Sequence, residues 1–148
     1  MTDKARGHRG YSTPVAFKAP GALSAYTTTG SAPLTPPPAN GGAGVIDCAW
    51  WVPTNLCIST LRIFRRVADP TTGSTQVEVW RRRAGTWVCL GNATMTIPFG
   101  TDLAQATITP GGPTPIEYRT LHQDDIVVAL LVSSEPAARD LTVTIEFR

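Results

Sequence analysis

Apolar and polar residues alternate in short segments over the C-terminal two-thirds of the chain. Val77-Glu78-Val79-Trp80-Arg81 follows a period of two, as does Asp140–Arg148, which puts Leu141, Val143, Ile145 and Phe147 on one face. Ala93, Met95 and Ile97 alternate with Thr94 and Thr96 in the same way. Ile126–Val132 is continuously apolar and rich in β-branched residues, the mark of a strand buried on both faces. Further strands are expected over 45–52, 56–66, 86–90, 103–109 and 115–121. Turn signals separate these runs: Asp69-Pro70-Thr71-Thr72-Gly73, Arg83-Ala84-Gly85, Pro98-Phe99-Gly100, Pro110-Gly111-Gly112-Pro113 and Ser133-Ser134-Glu135-Pro136. No segment of useful length repeats at 3.6 residues. Eight or nine short strands at this spacing predict an all-β fold over residues 45–148, a β-sandwich or barrel.

Residues 1–44 are of another kind. Thirty of them are Gly, Pro, Ser, Thr or Ala, including Pro36-Pro37-Pro38 and Gly41-Gly42-Ala43-Gly44. Six prolines and seven glycines exclude a regular helix or a central strand there. An extended, partly polyproline-like N-terminal arm is expected, with Tyr11, Phe17, Tyr26 and Leu34 as apolar anchors on partner subunits.

Charge divides at the same place. The chain carries 13 Lys and Arg against 11 Asp and Glu, a net charge of +2. The first 44 residues hold four cations and one Asp, so +3; the remainder holds nine and ten, so −1. A domain at −1 lacks the broad basic footprint of a nucleic-acid binder, and nucleic acid is not an expected partner. No apolar run approaches the ~18 residues of a membrane helix, and the first nine residues lack an apolar signal core.

The chemistry-bearing residues are few. Asp124-Asp125, preceded by His122, resembles a carboxylate pair, but adjacent strand residues point to opposite faces, and a polar turn is the better reading. There is no phosphate-binding loop or nucleophile elbow, and with only two histidines no hydrolase triad is expected. No catalytic residue, metal site or cofactor is assigned. Cys48, Cys57 and Cys89 fall on three expected strands without a zinc-type spacing, and a Cys48–Cys57 disulfide is the candidate pairing. Trp50-Trp51 and Trp80, with Arg81-Arg82-Arg83, form the candidate interface or ligand platform. Only one of two adjacent tryptophans can enter a given core, so the other needs a cover: the arm, a second subunit or a ligand such as a sugar.

Several of these segments in succession resemble the small β-sandwich proteins on the outside of tailed-phage particles. The resemblance runs from Val77-Glu78-Val79-Trp80 through the Arg83-Ala84-Gly85 turn and the Thr-rich Ala93–Ile97 strand. It continues through the polar-Asp-apolar step Leu121–Val128 to the closing strand Asp140–Phe147. Related sequences usually carry Gly before the Asp of that step, where this chain has Asp124. The resemblance implies a jelly-roll-like β-sandwich of about eight strands behind the extended arm, and a non-enzymatic virion protein on the capsid exterior, of the head-decoration, cement or head-fibre type. Its implied partners are the major capsid protein and copies of itself, with a homotrimer expected. A carbohydrate-binding or host-adhesion module, and a neck, collar or tail-associated protein of the same virion, are the alternatives.

Overall fold

The computed structural model describes residues 13–22, 45–67, 74–92, 94–98, 101–107, 112–134 and 138–148, except the side chains of Ala22, Val45, Asp47, Cys48, Val67 and Asn92. Ten strands run in chain order. They are β1 (Val15–Ala22), β2 (Val45–Trp51), β3 (Leu56–Val67), β4 (Thr75–Arg83), β5 (Thr86–Cys89), β6 (Met95–Ile97), β7 (Leu103–Thr107), β8 (Thr120–Leu121), β9 (Ile126–Ser133) and β10 (Ala138–Phe147). One sheet has the order β1-β10-β3-β7, with β8 also on β3; the other has β2-β9-β4-β5, with β6 also on β4. All pairings are antiparallel. With β5 and β6 counted as one interrupted strand and the two-residue β8 set aside, the orders become 1-8-3-6 and 2-7-4-5. That connectivity is a jelly roll, two interlocked Greek keys. Among the described residues no helix is long and apolar enough to cross a membrane.

The first strand of the jelly roll comes from the expected arm. Val15, Phe17 and Ala19 pair with Ile145, Val143 and Leu141 of β10, and Phe17 is 2% exposed within the main core. The division at residue 44 therefore gives way: the sandwich begins at Val15, and Phe17 anchors its own core rather than a partner. Pro20 and Gly21 are tolerated because β1 is an edge strand and its register shifts between Ala19 and Ala22. Gly21 has φ +73 at this irregularity, and its N–H donates to Asp140 Oδ1 at 2.6 Å. Tyr11, Tyr26 and Leu34 lie outside the described residues.

Inward positions of both sheets fill the core, with Ile46, Ile58, Ile63, Val77, Val79, Val127, Ala129, Leu131, Val143 and Ile145 buried. The expected double burial of β9 holds, since Val127 to Ser133 are all buried. The outer faces differ sharply. On the first sheet, Lys18, Arg62, Gln105, Thr142, Thr144 and Glu146 line the outer face, with Phe64 and Leu103 paired and exposed among them, and Arg62 bonds both Gln105 and Glu146. On the second, Trp80, Cys89, Leu130 and Val132 form a further buried cluster. The segment 115–121 departs from expectation: Ile116–Tyr118 is a 3₁₀ turn, and only Thr120–Leu121 is a strand.

Candidate functional site

Arginines on inward strand positions close both ends of the core. Near the β9–β10 turn, Arg65 is fully buried and its guanidinium donates to Thr75 Oγ1 and to the carbonyls of Pro98 (3.0 Å) and Thr101 (3.3 Å). At the opposite end, Arg81 is 4% exposed and donates to the Glu117 carbonyl at 3.1 Å. Two residues on, Arg83 grips Asp125 with both arms, Nε to Oδ1 at 2.8 Å and Nη2 to Oδ2 at 2.7 Å. Asp125 Oδ2 also accepts the His122 backbone N–H at 2.7 Å, folding the 122–125 turn around the carboxylate. Burial alone would raise the Asp125 pKa. The Arg83 hydrogen bonds, the His122 N–H and the charges of Arg83 and Arg81 outweigh it and hold the carboxyl below its usual range.

The expected polar turn is thus what Asp124-Asp125 forms. Asp125 is buried and fully engaged, while Asp124 is exposed with φ +69. Glycine takes that left-handed conformation without strain, and Asp is among the few other residues that visit it. The departure from the Gly-Asp pattern is therefore conservative in backbone terms.

Trp80 does not form an exposed platform. It is 4% exposed, and its Nε1–H donates to Glu78 Oε2 at 2.8 Å, while Thr94 Oγ1 donates to Glu78 Oε1 at 2.9 Å. Burial pushes the Glu78 pKa up, and these two hydrogen bonds only partly offset it. Trp50 and Trp51 separate as strand geometry demands. Trp50 packs against the core, its ring 5.7 Å from that of Phe147, whereas Trp51 is 66% exposed. Beside Trp50 lies an open apolar cleft of about 190 Å³, lined by Pro14, Val15, Pro53, Leu56 and Phe147 among others.

Of the triple arginine, Arg81 and Arg83 are structural and only Arg82 is exposed. Cys57 is an exposed free thiol, and Cys89 is buried, its Sγ donating to the Leu90 carbonyl at 3.9 Å. The Cys48 side chain lies outside the described residues. Its strand and that of Cys57 belong to different sheets, so the premise of adjacent paired strands for a Cys48–Cys57 bridge does not hold. Cys57 borders an open cleft of about 360 Å³ with Asn55, Thr120, His122 and Arg148. No group of three or more His, Cys, Asp or Glu among the described residues is placed to hold a metal ion.

Register brings together residues that the sequence holds far apart. Trp51 lies opposite Ile126, Ile126 opposite Arg82, and Arg82 opposite Trp87, one row across four strands of the second sheet. Ile126 carries no separate signal in the sequence, and Trp87 only its closeness to Arg81-Arg82-Arg83; strand pairing sets both in one row. No protein-family model matches the chain, and no curated protein matches it.

Proposed function

We propose that the chain is a structural virion protein of a tailed phage that decorates and stabilises the capsid exterior. The jelly roll is a recurrent frame of viral capsid proteins, although a frame does not by itself assign a role. The observation that carries the reading is the anchoring of β1 inside the sandwich. Because β1 pairs with β10 and β2 pairs with β9, the Pro/Gly-rich stretch 23–44 connects two fixed strands. Ala22 pairs beside Arg139 and Val45 beside Leu130, so the stretch leaves and re-enters at the β9–β10 end of the sandwich.

Twenty-two residues is far longer than the ~4–6 that usually connect neighbouring elements. In this reading the stretch acts as a strap between subunits. Tyr26 and Leu34 within it, and Tyr11 before β1, are its anchors on the major capsid protein and on neighbouring copies in a trimer. Each contact is weak, and many together tie capsomers through avidity.

Replacing residues 24–43 with a short Gly-Ser linker, in a chain that keeps β1, tests the mechanism by co-sedimentation with undecorated particles. Loss of binding is expected; undiminished binding overturns the strap. Stoichiometry in purified particles tests the location. Copies in proportion to the capsid lattice support decoration, copies in proportion to the neck or tail favour the alternative placement, and absence from particles overturns the virion reading.

A further inference from the structure

The row Trp51–Ile126–Arg82–Trp87 is an unusual surface. Its in-chain neighbours Trp50, Val127 and Arg81 turn towards the core, so strand alternation turns the row outward. At about 4.8 Å per strand, the outer members lie roughly 14 Å apart across the sheet. Trp51 and Arg82 are exposed, Ile126 and Trp87 half-buried. The Arg82 side chain makes no hydrogen bond or ion pair among the described residues, while Asp125, the carboxylate beginning the same edge of β9, is committed to Arg83. The next row inward, Val128, Trp80 and Cys89, is buried at 8%, 4% and 4% exposure, which limits the accessible strip to one residue in width.

We propose that this strip binds an acidic oligosaccharide, with Trp51 and Trp87 as stacking surfaces and Arg82 as the carboxylate partner between them. A pyranose offers an apolar C–H face to an indole while its hydroxyls stay wet, which suits a half-exposed ring. Sugar units repeat at close to the inter-strand spacing, so successive rings meet successive members of the row. The guanidinium presents a fork matched to a uronate-type carboxylate. Other occupants fit less well. A stable protein partner needs about 800 Å² on each side, far more than a strip one side chain wide. A two-fold axis running along the strip would set Arg82 against its own copy. Single-stranded nucleic acid wants a cationic groove along its backbone, and this row has one cation.

The probe is a tetrameric oligouronate titrated into the full-length chain and followed by tryptophan fluorescence and calorimetry. Saturable binding is expected, weakened about tenfold or more by Trp51→Ala and separately by Arg82→Gln. Both side chains are exposed, and an unchanged Tm in each variant verifies the fold. A neutral tetrasaccharide of the same linkage is expected to bind at least about tenfold more weakly. No saturable binding of the oligouronate, variants that bind as the parent does, or equal binding of the neutral sugar overturns the proposal. So does a thymidine oligonucleotide that binds more tightly than the uronate. None of these outcomes depends on particle binding, so the site and the virion reading stand or fall separately.

Discussion

Arg83 and Asp125 form a two-armed ion pair that joins the end of β4 to the start of β9, the carboxylate buried and the guanidinium partly open to water. The same carboxylate holds the His122 turn. Asp125→Asn keeps the shape but removes the charge, leaving Arg83 half-satisfied. A loss of about 2–3 kcal/mol in urea-unfolding free energy is expected, below the full ~3–5 for a wholly buried pair because Arg83 is partly exposed. The pH signature follows from the depressed pKa. This contribution is complete above the unfolded-state value near ~3.9 and fades as pH falls through the lower folded-state value. Asp125→Asn is expected to flatten that acid limb of the stability curve.

Glu78 titrates in the opposite sense. Its folded-state pKa is raised, so the folded state holds a proton that the unfolded state has already released, and stability falls as pH rises through that window. Glu78→Gln retains an acceptor for the Trp80 indole N–H without a buried charge. The variant is expected to melt above the parent at pH 8, with the gap closing towards pH 4.

The domain boundary can be tested by truncation. Removal of residues 1–12 is expected to leave cooperative unfolding intact, whereas removal of 1–22 strips β1 from β10 and exposes the Phe17 site. Phe17→Ala alone should cost about 3–5 kcal/mol, as expected for a buried Phe that leaves a cavity. Denaturant melts followed by circular dichroism distinguish the three chains.

Two turns carry non-glycine residues with positive φ, Ala84 at +47 and Asp124 at +69. Ala84 and Gly85 (φ +79) form a two-residue hairpin loop with both centres left-handed, the geometry of a type I′ turn that favours Asn-Gly. Ala84→Asn and Asp124→Gly are each expected to raise stability by about 0.5–1 kcal/mol, additive within error because the turns are separate. Thermal melts of the single and double variants provide the measurement.

Strands that alternate strongly were readable one by one. Leu141, Val143, Ile145 and Phe147 are buried as their spacing requires, and the continuous run of β9 is buried on both faces. β1 is hidden in the sequence because Val15-Ala16-Phe17-Lys18-Ala19 is short, makes its one clear apolar-to-polar step at Phe17-Lys18 and ends in Pro20-Gly21. A long-range partner, β10, supplies the pairing that local propensity does not. The Trp50/Trp51 division followed from pleat geometry alone. The Trp51–Arg82–Trp87 row did not, because it depends on three registers that no single segment encodes. For the same reason Trp80 and Arg81 looked available from sequence and are in fact interior.

Pairing of β1 with β10 also makes the strand order along the chain exchangeable. Val15 lies beside Ile145, so the start of the first strand and the end of the last are neighbours at one end of the sandwich. A few residues joining position 148 to position 13, with the chain opened inside 23–44, would write the same two sheets in a different sequence. The set of strand pairings, rather than the order in which the chain visits them, is what the hydrophobic pattern encodes.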